Sequence, residues 1–112
     1  MKTQVTQESN STIVAVTGTV DALTAPDLSK TLVDEITEGH VNLVVDLIAV
    51  EFMSSAGLRT LLGAVKESRS NGGDLRIAST NPGIDKVLKM SGFHNIAKVF
   101  ASQAEAVSSF GS

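Results

Sequence analysis

The sequence predicts a single α/β domain, a mixed and mostly parallel sheet of four to five strands packed with about four helices. Three observations point to it. Strand-like and helix-like segments alternate from residue 12 onward, which implies right-handed crossovers between parallel strands. Before them, the polar loop Glu8-Ser9-Asn10-Ser11 separates two strand-like segments and supplies one antiparallel edge. The 112 residues are 42% hydrophobic, with four Phe and neither Trp nor Tyr, so the core must be built from Val, Leu, Ile and Ala, as suits layered packing. This length fits one domain, residues 1–112, with a sizeable core.

Lys2 to Gln7 and Thr12 to Thr19 read as the two strands of the opening hairpin. Thr24-Ala25-Pro26-Asp27 opens the first helix. Thr24 is the expected cap, Pro26 is tolerated in the first turn, and Asp27 suits a capping box and the helix dipole. Leu28, Leu32 and Ile36 form its apolar face, and Gly39 ends it. Val41 to Leu47 is rich in β-branched residues, as a buried third strand requires. A second helix is expected from Ser55 to about Ser70, with Leu58, Leu61, Leu62 and Val65 at helical spacing and Asn71-Gly72-Gly73 closing it. Leu75 to Ala78 is the fourth strand. Asn81-Pro82-Gly83 opens a third helix that Gly92 stops, and Ala97 to Phe100 is a short fifth strand. Ser102-Gln103-Ala104-Glu105 is a capping-box signature for a last helix that packs Val107 and Phe110.

The most informative stretch joins the third strand to the second helix. It places Ser54 and Ser55 at the C-terminal edge of a sheet, where open α/β folds carry their working residues. A phosphate there would meet unpaired backbone N–H groups and the positive end of the helix dipole, so the turn can serve as a charge switch. The plainer reading is a capping serine, contributing about 1 kcal/mol. Gly57 lies in the first turn of the helix, where glycine is disfavoured unless something approaches closely, either a partner or a strand of the same chain. Arg59 and Lys66 fall on a solvated helix face. Asp21, in the loop before the first helix, borders the same sheet edge or simply bonds its own turn.

Asp46-Leu47-Ile48-Ala49-Val50-Glu51-Phe52-Met53-Ser54-Ser55-Ala56-Gly57-Leu58 resembles the signature of the STAS family, in particular the bacterial anti-sigma factor antagonists: Asp-Leu, a hydrophobic spacer, then Met-Asp-Ser-Ser-Gly-Leu. Gly18-Thr19-Val20-Asp21 is similar to the family's Gly-x-Leu-Asp, and Met90-Ser91-Gly92-Phe93 to its Met-Ser-Gly-Leu, so the resemblance covers nearly the whole chain. It implies an anti-sigma factor antagonist, not an enzyme. Its unphosphorylated form would bind an anti-sigma factor that is also a serine protein kinase. Aligned on Met53 and Gly57, the phosphorylated serine falls on Ser55, with Ser54 as the alternative acceptor; Asp21, Ser54, Ser55, Gly57 and Arg59 would form the partner-binding surface. Phosphorylation would weaken the complex and a metal-dependent serine phosphatase would restore it, ATP and metal belonging to those enzymes, so that this chain itself takes no cofactor. Two residues depart from the pattern. Ser54 stands for the usual Asp, removing a negative charge beside the acceptor, and Ala56 stands for the second Ser.

Other function classes find little support. The net charge is -3 and the nine Lys and Arg are scattered, so direct nucleic-acid binding is not expected. No Cys is present, which excludes disulfides and thiol chemistry. No apolar run approaches the ~20 residues that span a bilayer, and the N-terminus has no signal-peptide core, so the expectation is a cytoplasmic protein with no membrane insertion. His40 and His94 lie about half the chain apart, with no metal-ligand spacing between them, and the Ser54-Ser55 turn lacks the Gly-x-Ser-x-Gly pattern of a hydrolase. The rival reading keeps the fold and changes the partner: a STAS interaction or scaffold subunit of a stress-signalling or lipid-transport complex without a sigma factor.

Overall fold

A computed structural model describes residues 1–111. Its five strands lie side by side in chain order: β1 (Lys2–Gln7), β2 (Thr12–Val20), β3 (Asn42–Met53), β4 (Asp74–Ala78) and β5 (Val99–Phe100). β1 and β2 are antiparallel, and every later pair is parallel. The crossovers are α1 (Ala25–Thr37), α2 (Ser55–Ser70) and α3 (Pro82–Met90), and α4 (Gln103–Ser108) closes the chain.

Alternation along the strands divides the apolar residues between the two faces of the sheet. Val14 and Val16 of β2, Leu43, Val45 and Leu47 of β3, and Leu75 and Ile77 of β4 join Leu28, Leu32, Leu61 and Leu88 from the helices in the main core. Residues of opposite parity, Ile13, Val44 and Ala78, pack on α4 through Ala106, with Phe100, Val107 and Phe110 at the margin. Arg76 projects on that second face with its guanidinium 4.1 Å from the centre of the Phe110 ring, a cation–π contact that pins the C-terminus.

Several elements depart from the pattern the sequence predicts. β3 does not stop at Leu47 but continues to Met53. Its register with β2 shifts between Ala15 and Thr17 and again between Gly18 and Thr19, each time leaving an extra residue on β3. With these bulges the buried residues fall at Leu47, Val50 and Met53, every third position, so the period of two that marks a strand is lost. Asp46 secures the first bulge: its Oδ1 accepts from the Ile48 amide and its Oδ2 from the Gln103 side chain of α4.

Thr24 occupies the N-cap position of α1 but makes no capping hydrogen bond, and the box expected of Thr24 and Asp27 does not form. Its hydroxyl instead donates to the Thr19 carbonyl at 3.1 Å and accepts from the Asp21 amide. The Asn81 and Ser102 caps do form, accepting from the amides of Gly83 and Glu105. β5 is only two residues long, and a 3-10 turn at Phe93–Asn95 fills the space after Gly92.

Candidate functional site

Because β3 runs seven residues past its last pairing with β4, its end is carried by β2 alone: Val20 pairs with Met53, and the Ser54 amide donates to the Val20 carbonyl at 2.9 Å. Asp21, which follows Val20, and Ser54, which follows Met53, therefore leave the sheet side by side. The fold brings the Asp21–Thr24 loop and the Ser54–Ser55 turn together at one edge, above the start of α2.

Asp21 is used internally. Its Oδ1 accepts from the amides of Leu23 and Thr24, at 3.0 and 3.1 Å, and its main-chain carbonyl accepts from the Ala25 amide. The Thr24 amide first and the Leu23 amide second hold its carboxyl below the usual carboxylate range. The local turn bonding that the sequence offered as the plainer reading is present.

The two serines differ in a way sequence does not reveal. Ser54 is the N-cap residue of α2, extended at φ -87 and ψ 174, yet its hydroxyl makes no capping bond and is buried without a hydrogen-bond partner. Ser55 begins the helix and is exposed. The expectation that one of the pair caps α2 is thus corrected, and of the two hydroxyls Ser55 is the one open to solvent. No acidic residue lies in the first turn of α2. Arg59 is exposed one turn along, at the i,i+4 spacing that sets two side chains on one helix face. It also borders a groove of about 610 Å³ between α1 and α2, together with Ala22, Pro26, Ser29 and Gly63. Lys66 is exposed farther along the helix.

Gly57 is buried. A Cβ there would stand 2.8 Å from Met53 Cγ and 2.9 Å from Val20 Cγ1, so the close approach belongs to the chain's own strands. Of the two explanations open from sequence, clearance for strand packing accounts for it; Gly57 shapes the edge from below and offers no contact surface of its own.

Sequence reasoning passed over two residues at this edge. Leu23 is 87% exposed and Phe52 is 55% exposed, large apolar side chains on either side of the β2–β3 ribbon's end. Leu23 sits in a loop with no periodic partner, and Phe52 falls where the bulges break strand alternation, so neither carried a pattern. Exposed apolar side chains are a common component of protein contacts, and these two lie in the segments that lead into and out of this edge. At the opposite end of the strands, His40 is engaged with Glu35 and Glu38.

The STAS domain family model matches residues 2–106. This chain belongs to the STAS domain family. The BtrV protein of Bordetella bronchiseptica, described as a candidate anti-sigma factor antagonist, is 32% identical over 88% of this chain and 84% of its own length. The anti-sigma F factor antagonist of Paenibacillus polymyxa is 29% identical over 85% of this chain and 82% of its own. Among solved structures, an anti-sigma factor antagonist from Mycobacterium paratuberculosis superposes with a TM-score of 0.90 over 97% of this chain and 92% of that one, at 24% identity. The Bacillus cell fate determinant SpoIIAA in its phosphorylated form superposes at 0.76, over 98% of this STAS chain and all of that one, at 19% identity. Both structural matches are of fold. Among the described residues, no helix of this STAS domain is long and apolar enough to cross a membrane.

Proposed function

We propose that this STAS domain is an anti-sigma factor antagonist, a binding module whose unphosphorylated form captures an anti-sigma factor that is also a serine protein kinase, and whose affinity is set by phosphorylation of Ser55. The observation that carries the reading is the contrast between the exposed Ser55 hydroxyl at the start of a 16-residue helix and the buried hydroxyl of Ser54. Kinase chemistry needs a hydroxyl it can reach, and Ser55 offers one. A phosphate there adds a charge of about -1.5 to -2 at the positive end of the α2 dipole, with Arg59 one turn away, so the fold tolerates it. A partner docked over Leu23 and Phe52 would have to desolvate that charge. Tens-fold weaker binding corresponds to about 2 kcal/mol, within what a doubly charged group in an interface supplies.

In this reading, capture of the anti-sigma factor frees a sigma factor for transcription in the cytoplasm, and a serine phosphatase resets the switch. Calorimetric titration of the anti-sigma factor kinase from the same cell into wild type, Ser55→Ala and Ser55→Asp tests it. Wild type and Ser55→Ala should bind alike, Ser55→Asp at least ten-fold more weakly, and the kinase should label wild type and Ser54→Ala but not Ser55→Ala. Equal binding of Ser55→Asp and wild type would remove the switch, and labelling of Ser55→Ala would move the acceptor.

A further inference from the structure

At the end of the sheet away from Ser55, three side chains converge where α1 stops. Glu35 lies in the last turn, Glu38 is the C-cap residue, and Gly39, at φ 97, turns the chain so that His40 comes back toward the helix. His40 Nδ1 stands 3.0 Å from Glu35 Oε1 and 4.0 Å from Glu38 Oε2, and one ligand atom from each of the three lies within 4.8 Å of the others. Around a tetrahedral zinc ion, ligand atoms ~2.0–2.1 Å from the metal are separated by about 3.3 Å, so the three atoms need only small side-chain rotations to share one ion.

Electrostatics supply an argument independent of the spacing. A helix C-terminus carries partial negative charge and ordinarily attracts Lys or Arg, yet the last turn of α1 holds no basic residue. It holds two carboxylates instead, and Glu35 is only 15% exposed. Lys30, the nearest basic residue on the helix, is taken by Asp34. The Gln7 amide of β1 donates to Glu35 Oε1 at 3.0 Å, holding that carboxylate in place from a second element, as an outer partner of a metal ligand does. One imidazole and two carboxylates form a donor set suited to zinc and its neighbours in the first transition row.

We infer that Glu35, Glu38 and His40 form a divalent transition-metal site at the C-terminal end of α1. With three protein ligands, the remaining coordination positions are left for water. The site is remote from Ser55 and does not depend on the switch proposed there.

Titration of Zn²⁺ alone into the full-length, metal-stripped chain, followed by calorimetry and by the rise in thermal midpoint, tests the inference. One ion should bind per chain with micromolar affinity. His40→Gln and Glu38→Gln, both at exposed or half-exposed positions, should each weaken binding at least ten-fold while leaving the far-ultraviolet spectrum unchanged, and His94→Gln should bind as wild type does. Absence of saturable binding, retention of full affinity by His40→Gln, or loss of affinity in His94→Gln would each overturn the site.

Discussion

Alanine at Gly57 should loosen the edge that holds the Ser54–Ser55 turn, and alanine at Gly63, six residues along the same helix, should do the opposite. At Gly57 the new Cβ would lie 2.8 Å from Met53 Cγ and 2.9 Å from Val20 Cγ1. Comfortable carbon contacts are about 3.5–4.0 Å, so each overlap is roughly 0.7 Å. Neither neighbour gives easily. Val20 is fully buried and stiff at χ1, and Met53 meets the Cβ through a carbon near its root rather than its flexible tip. Overpacking of this kind costs about 1–3 kcal/mol, against a helix-propensity gain of at most about 1 kcal/mol. The net expectation is a loss of about 1–2 kcal/mol. At Gly63 a Cβ would meet nothing within 4 Å, so the propensity gain, about 0.5–1 kcal/mol, stands unopposed. Urea unfolding at 25 °C reads the difference directly: with a slope of about 1–3 kcal/mol/M, the midpoints of Gly57→Ala and Gly63→Ala should lie on opposite sides of wild type and differ by about 0.5–3 M. Equal upward shifts in both variants would refute the packing explanation of Gly57.

Three further outcomes follow from the same geometry. Ser54→Ala should leave stability within about 0.5 kcal/mol of wild type, because the hydroxyl it removes has no partner, whereas Ser102→Ala, which deletes a formed cap, should cost about 1 kcal/mol; paired urea melts compare them. Asp21 has its folded pKa lowered by the Thr24 and Leu23 amides, so its contribution is present above the unfolded value and is lost as pH falls through the folded one. The stability advantage of wild type over Asp21→Asn should therefore be constant near neutrality and shrink below about pH 4, measured by melts across pH. Leu23→Ser and Phe52→Ser should unfold at wild-type urea concentrations and yet bind the anti-sigma factor kinase at least ten-fold more weakly; unchanged affinity in both would place the contact surface elsewhere.

Element order was legible because most helices and strands advertise themselves in one dimension. Leu28, Leu32 and Ile36 repeat at helical spacing, Val41 to Leu47 is a continuous apolar run, and Gly39, Gly72 and Gly92 mark helix ends where the backbone does take positive φ. The second half of β3 was not legible, since two bulges convert its burial period from two to three. Thr24 shows a different limit: a threonine before a helix is a good cap only if nothing competes for its hydroxyl, and here the Thr19 carbonyl and the Asp21 amide do. The Ser54–Ser55 turn was found from its place between strand and helix, but which hydroxyl faces water is a rotation of one residue that only coordinates decide. Glu35 and Glu38 carry no motif in the sequence, and it is the turn at Gly39 that folds the His40 imidazole back onto their carboxylates.

The sheet is cut like a stair. β4 halts at Ala78, level with Asp46, while β3 climbs on to Met53 with β2 as its only strand neighbour, and on its bare flank the Asn81 side chain reaches across to the Val50 carbonyl. Backbone amides on the lower tread, in Leu43 to Val45, are locked between two parallel neighbours and can exchange with solvent only when the whole domain unfolds. Those of the upper tread, from Val50 to Met53, have a single strand neighbour, and what holds that ribbon down is the seating of Val20, Val50 and Met53 in the main core. The serine turn is mounted on that upper tread, so its position is set by side-chain packing beneath it more than by the hydrogen-bond ladder beside it.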